Sequence, residues 1–207
     1  MTVDPAMRPR VTLVVAMRNE AGNIRRCLAS IADQDYPADR LEVLVYDGES
    51  TDNSIELARA FAAGRRDWAV RTNPRRIQAA AWNDGIRSAS GDVAGIVSGH
   101  TELGREYVGA AVDTLLRLKP DLVGGPVRAV ATSRMGAAIA IATSTPYGVG
   151  GARHHYLTET AYVDTVFMGV ALRETWLRYP FNEEFVRNQD RLRQAVGQSI
   201  NVPAWRI

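Results

Sequence analysis

"LEVLVYDGESTDNSIELARAFAAG", residues 41–64, holds a complete structural unit. LEVLVYD at 41–47 is an apolar run of strand length rich in β-branched and aromatic residues. SIELARAFAAG at 54–64 carries helical spacing, and Gly64 supplies the stop. Between and around them Asp47, Glu49, Ser50, Thr51, Asp52 and Asn53 crowd acidic, hydroxyl and amide groups onto the tip of the strand. Two readings compete for that loop. Asp, Ser, Thr and Asn are ordinary turn and N-cap residues, and they are also the groups that hold a polar ligand.

The same unit recurs on both sides. VTLVVA at 11–16 suits a strand buried on both faces, and AGNIRRCLASIADQ places Ile24, Cys27, Leu28 and Ile31 on one helical stripe. Downstream, WAVRT (68–72) predicts a third strand, RRIQAAAWNDGIRSAS (75–90) a third helix and DVAGIVS (92–98) a fourth strand. An amphipathic helix follows near 104–118, through Tyr107, Val108, Ala111, Val112 and Leu115, and then a strand at DLVGGPV. After Gly151 the alternation weakens, and YVDTVFMGVALR (162–173) reads as a strand pair or one long strand. Strands alternating with helices imply right-handed crossovers. The expected fold is therefore α/β, a mostly parallel, Rossmann-like sheet flanked by helices. The chain reads as one domain over 1–207.

Composition narrows the function classes. Of 207 residues 46% are hydrophobic and 23% charged, with a formal net charge of +2, the profile of a globular domain. Lys119 is the single lysine, which argues against a polybasic arm and against nucleic acid as a partner. Cys27 has no cysteine to pair with and reads as a small core residue in a reducing compartment. MTVDPAMRPR lacks the apolar core of a signal peptide, and no run reaches the roughly 18 apolar residues of a membrane span. The expected location is cytoplasmic, with peripheral contact at the inner face of the membrane left open by GAAIAIATSTPYGVGG at 136–151.

In an open parallel sheet, ligands bind beyond the carboxyl ends of the strands. The polar loops leave those ends: MRNE (17–20), DGESTD (47–52), NPRR (73–76) and SGHTE (98–102). MRNEAGN has only Gly22, so the Gly-rich dinucleotide fingerprint is missing, as is any Gly-rich Lys-Ser or Lys-Thr phosphate loop.

MRNE after strand one, DGESTDNS after strand two, Asn83-x-Gly85 in helix three and GDV opening strand four together resemble the inverting nucleotide-sugar glycosyltransferases of family 2, in the bacterial exopolysaccharide branch typified by succinoglycan synthesis. VGGP (123–126), YGVGG (147–151) and VRNQD (186–190) extend the resemblance from about Val11 to Ile200. It implies a nucleotide-binding fold of the glycosyltransferase A type, with a nucleotide-binding part at 11–103 and an acceptor-side part at 104–200. The partners implied are a nucleoside diphosphate sugar and a carbohydrate or lipid-linked acceptor.

The resemblance also assigns residues. Asp47 and Glu20 would contact the nucleoside, Arg18, Arg76 and Asn83 would complete the nucleotide site, and Asp190 would be the catalytic base. The family carries an Asp-x-Asp or Asp-x-His pair after strand four that binds a divalent metal, Mg2+ or Mn2+. Here the stretch is Ser98-Gly99-His100, so Ser98 stands in place of the expected Asp and His100 is left as the candidate ligand, with Glu102 an alternative. Asp190 directly abuts Arg191, where relatives place several more residues, and relatives continue beyond INVPAWRI. The expected function is transfer of the sugar with inversion in exopolysaccharide or cell-surface glycan synthesis. The alternative is a catalytically impaired, nucleotide-sugar-binding remnant of the same fold.

Overall fold

A computed structural model describes residues 8–126, 161–163, 166–184 and 199–201. The first four strands are β1 (Val11–Met17), β2 (Leu41–Asp47), β3 (Trp68–Thr72) and β4 (Val93–Ser98), and each is followed by a helix: α1 (Ile24–Ala32), α2 (Ser54–Ala62), α3 (Gln78–Ser88) and α4 (Tyr107–Leu118). Then come β5 (Leu122–Gly125), β6 (Ala161–Val163), β7 (Phe167–Leu172), a short α5 (Arg173–Arg178) and β8 (Ser199–Asn201).

The strands form one sheet in the order β3-β2-β1-β4-β7-β5-β8-β6. The first half is wholly parallel, with Val11 beside both Leu41 and Val93 and Val43 beside Trp68. Beyond β4 the sheet is mixed. β7 runs antiparallel to both β4 and β5, β8 is parallel to β5, and β6 is antiparallel to β8. YVDTVFMGVALR thus supplies two strands that lie apart in the sheet, and its last residue, Arg173, already belongs to α5.

Every residue of β1 is buried because helices cover both faces of the sheet. Alternate side chains divide between two cores. Leu13, Val15, Val43 and Val45 face Ile24, Leu28 and Ile31 of α1 and Val108 and Val112 of α4. Val14, Leu44 and Ile96 face Trp82 and Ile86 of α3, with Trp176 and Phe181. Ile24, Cys27, Leu28 and Ile31 are all fully buried, as their spacing predicts, and each large aliphatic buried so contributes about 1.5–3 kcal/mol.

α3 packs closest. A methyl on Gly85 would overlap the Cγ1 methyl of Val14 and lie 2.7 Å from its Cγ2, so glycine here sets the helix-to-sheet distance. α3 also begins three residues later than its sequence predicts. Arg76 is left-handed (φ 59°) and Ile77 extended, and the amide of Asn73 donates to the Ile77 carbonyl at 2.9 Å, so residues 73–77 form a closed loop instead of a first turn. At the end of α2, Gly64 takes φ 77° and turns the chain out of the helix. Among the described residues no helix is long and apolar enough to cross a membrane.

Candidate active site

The parallel ladder runs one step past the strand ends and sets the loops side by side. Gly48 N–H donates to the Met17 carbonyl (2.8 Å), Asn73 N–H to the Asp47 carbonyl (2.7 Å) and Gly99 N–H to the Ala16 carbonyl (2.9 Å). Loops 18–20, 48–53, 73–77 and 99–102 therefore share one edge, the carboxyl edge of β1–β4. β1 has β2 on one side and β4 on the other, so the direction of winding reverses between β1 and β4, where such sheets open a crevice.

Most of the polar groups in DGESTDNS brace the first two loops against each other. Asn19 N–H donates to Ser50 Oγ (2.8 Å), Thr51 N–H to Asn19 Oδ1 (2.8 Å), Glu20 N–H to Ser54 Oγ (2.6 Å) and Ala21 N–H to Asp52 Oδ2 (3.1 Å). Asp52 also accepts the N–H of Ser54 at 3.0 Å. The Ser54 hydroxyl above all, then these backbone N–H groups, hold the Asp52 carboxyl below its ordinary range. Ser50, Thr51 and Asp52 are structural, as turn chemistry predicts, but the larger part of their work is done across loops.

Asp47 ends β2 with 2% exposure. Its carboxylate accepts the Ser50 N–H at 3.0 Å and the Ser50 hydroxyl at 2.5 Å. Each oxygen keeps lone-pair capacity after accepting one bond, so a ligand donor can still be taken. A methyl on Gly48 would lie 3.4 Å from the Arg18 side chain and 3.5 Å from the Arg76 Cα, so the Arg18 side chain and the Arg76 backbone both approach Gly48. Arg18 is exposed, and its guanidinium has no partner among the described residues. Arg76 is ion-paired with Glu49. Three non-glycine residues with positive φ, Asn19, Glu49 and Arg76, occur in these loops, one in each of the first three. Such conformations cost about 1–3 kcal/mol each and gather where a ligand is held.

Glu20 and His100 meet across the β1–β4 crevice, with His100 Nδ1 2.8 Å from Glu20 Oε1. The second Glu20 oxygen accepts from Asn23 at 2.8 Å. Glu102 is paired with Arg26 at 2.9 Å. Ser98 is buried, and its hydroxyl accepts the Gln78 amide at 2.7 Å. A metal site here would need several anionic or imidazole donors converging on one point. Ser98 offers a neutral hydroxyl already engaged, His100 has one ring nitrogen committed to Glu20, and among the described residues no three His, Cys, Asp or Glu side chains form a set able to hold a metal ion. The described residues do not fit the divalent metal that the sequence resemblance implies.

Asn83 is also placed differently from its expected role. It sits five residues into α3, roughly 7.5 Å below the start of the helix at 1.5 Å per residue. Its amide nitrogen donates to the Phe181 carbonyl and to Glu183, each at 2.9 Å, and its oxygen accepts the Phe181 N–H at 2.9 Å. Asn83 ties α3 to the segment after α5, and its amide is not open to a nucleotide. Asp190, with all of YGVGG and VRNQD, lies outside the described residues.

Two residues that went unnoticed in the sequence matter at this edge. Asn73 is buried and its Oδ1 has no hydrogen-bond partner among the described residues. Asn19 takes the left-handed turn that closes loop one, and asparagine's tolerance of that conformation was the available signal. Cys27 is a core residue, its thiol 3.6 Å from the Ser98 carbonyl.

Comparison with known proteins agrees with this architecture. A protein from Methanococcus voltae, dolichyl N-acetyl-alpha-D-glucosaminyl phosphate 3-beta-D-2,3-diacetamido-2,3-dideoxy-beta-D-glucuronosyltransferase, is 27% identical over 191 residues, 87% of this chain and 59% of its own length. The succinoglycan biosynthesis protein ExoA of Rhizobium meliloti is 28% identical over 156 residues, 74% of this chain and 47% of its own. The chain thus spans about half of the length of these relatives, and the stronger likeness is to the archaeal dolichyl-linked enzyme. Among solved structures, S. aureus TarS in complex with UDP superposes with a TM-score of 0.75 at 17% identity, over 95% of this chain and 58% of that one. The mannosyltransferase PcManGT of Pyrobaculum calidifontis, solved with GDP-Man and Mn2+, gives 0.65 at 25% identity, over 90% and 51%. The fold is that of the glycosyltransferase A type. The sequence model of glycosyl transferase family 2 matches residues 12–169, more than half of the chain, and the chain belongs to that family.

Proposed function

We propose that this chain binds a nucleoside diphosphate sugar along the carboxyl edge of β1–β4 and transfers the sugar, with inversion, to a carbohydrate or lipid-linked acceptor. The observation that carries the reading is the braced loop edge itself. Loops one and two are hydrogen-bonded together beside a buried carboxylate, with Arg18 and the Arg76 backbone close to Gly48. A carboxylate acceptor suits a nucleobase N–H or a ribose hydroxyl, and charge-assisted bonds of this kind are the stronger ones. Arg18 and Arg76 suit the diphosphate, which gains negative charge as it departs. In the step proposed, Asp190 takes the proton of the acceptor hydroxyl, that oxygen bonds to the anomeric carbon from the face opposite the donor, and the bond to the nucleoside diphosphate breaks. Residues 11–103 would serve the donor and 104–200 the acceptor.

The M. voltae relative is named for a dolichyl phosphate-linked acceptor, which supports a lipid-linked acceptor here. The likeness to ExoA keeps exopolysaccharide or another cell-surface glycan as the product class. For such an acceptor we propose work at the inner face of the membrane, from the cytoplasmic side.

A second reading, binding with impaired transfer, is favoured by one observation: the Ser98 hydroxyl and one His100 nitrogen are already engaged where the family carries its metal pair. Isothermal titration with UDP, GDP and their sugars, with and without Mn2+, followed by single-turnover transfer, separates the two. Binding with transfer supports the first reading, binding without transfer the second, and absence of any nucleotide binding overturns both.

A further inference from the structure

Glu183 lies outside the loop edge, yet its carboxylate joins two elements that the site depends on. One oxygen accepts the Asn83 amide of α3 at 2.9 Å, and the other accepts a guanidinium N–H of Arg75 at 2.5 Å. Asn83 in turn grips the backbone of Phe181 through both its N–H and its carbonyl. The Phe181 ring is buried against Trp82 and Trp176, with centroids 5.0 and 5.5 Å apart. The stem that presents Glu183 is therefore fixed by packing and by three hydrogen bonds.

Arg75 belongs to the 73–77 loop. Its other guanidinium arm reaches Asp84, which also holds Arg87, so the arginine is clamped between two carboxylates. The hydrogen bond to Asp84 comes first among the causes that raise its pKa, with attraction by Asp84 and Glu183 adding to it. The next residue, Arg76, takes the left-handed conformation that side chains disfavour, and it reaches the opposite way, to Glu49. A strained turn persists only where its surroundings over-determine it. Here the turn is held from within by Asn73 on Ile77, from the second loop by Glu49 and from the segment after α5 by Glu183.

We infer that Glu183 is a positioning residue for nucleotide binding: through Arg75 it holds the 73–77 loop in the left-handed turn that sets Arg76 beside Gly48. The inference rests on the reading of this edge as the nucleotide site. It makes the 73–77 loop and the segment after α5 one mechanical unit, so a change at residue 183 reaches the nucleotide without touching it.

The test uses the full chain, titrated calorimetrically with UDP and with GDP, in the wild type, Glu183→Gln, Arg75→Gln and the double variant. Each single change is expected to weaken the nucleotide that the wild type binds by about threefold to tenfold, the range of a half-exposed ion pair and its hydrogen bond, and the double variant to be no worse than the worse single. Amide hydrogen exchange at residues 75–78 in nucleotide-free protein is expected to quicken in both singles, a readout that a direct Arg75–nucleotide contact would leave alone. Arg75 is partly exposed, so Arg75→Gln with the exchange measurement carries the test if Glu183→Gln does not fold. Wild-type affinity in Glu183→Gln, losses that multiply in the double variant, or unchanged exchange at 75–78 would each overturn the inference while leaving the nucleotide site standing. A wild type that binds neither nucleotide removes the function and the inference together.

Discussion

Replacing Asp47 separates the bonds its carboxylate makes to Ser50 from the contact with the nucleotide proposed for it. Its side chain is almost wholly buried, and it accepts two bonds from Ser50, whose hydroxyl in turn accepts the Asn19 N–H. Asp47→Ala therefore removes the first link of a chain that reaches the first loop. Hydrogen bonds to a charged acceptor are worth about 1.5–3 kcal/mol each, but the Ser50 donors are half-exposed and can rehydrate, so the expected loss of stability is about 2–3 kcal/mol in total. A domain of this size shifts by about 2–4 °C per kcal/mol, which makes the loss readable as a lowered Tm. Asp47→Asn keeps the volume and one acceptor oxygen for Ser50, and is expected to cost less than about 1 kcal/mol of stability. Toward the nucleotide the two variants should behave alike, since both lose the charge that a base N–H or ribose hydroxyl would meet. That loss, about 1.5–3 kcal/mol, is roughly a tenfold to hundredfold rise in Kd. Urea denaturation read beside calorimetric titration checks both halves. A folded Asp47→Asn that binds nucleotide as tightly as the wild type would refute the reasoning and leave Asp47 as a brace alone.

Gly85→Ala is expected to destabilise the chain by about 1–3 kcal/mol or more, because the added methyl overlaps Val14, and a Tm near that of the wild type would show that α3 can lift off the sheet freely. Burial chiefly pushes the Cys27 thiol from 9.0 up to about 12 and the Tyr36 hydroxyl from 10.0 up to about 12. From pH 9 upward the unfolded chain sheds protons that the folded chain keeps, so stability falls as pH rises, by up to about 1.4 kcal/mol per pH unit for Cys27. Cys27→Ala should flatten that decline between pH 9 and 12 in denaturant titrations, and an unaltered slope would contradict it. Ser98→Asp adds an anionic donor at the end of β4, and nucleotide affinity in Mn2+ compared with chelator should then respond to metal more in the variant than in the parent. An equal response would place Ser98 away from the diphosphate.

The alternation of strand and helix, the two-sided burial of VTLVVA and the stripe Ile24, Cys27, Leu28, Ile31 were all legible in sequence, because periodicity along a chain is set by local geometry, period 3.6 for the helix and 2 for the strand. The carboxyl-edge loops followed from the same logic, since in a parallel sheet strand ends collect on one side. Which polar groups in those loops stay open to a ligand was another matter. Glu20 and Asn83 carry the right chemistry for a nucleotide, yet their partners stand 80 and 100 residues away, at His100 and Glu183. Spacing along the chain says nothing about contacts made across the sheet, and a hydrogen-bonding group serves whichever donor or acceptor the fold brings within about 3 Å. The antiparallel entry of β7 beside β4, and the loop that displaces the first turn of α3, are of the same kind. The chain's own pattern determined the elements and the edge on which the polar loops collect; the tertiary structure decided that Asp47 is buried against Ser50 and Arg18 is exposed there, while Asn83, Glu102 and Asp52 are engaged in holding segments together.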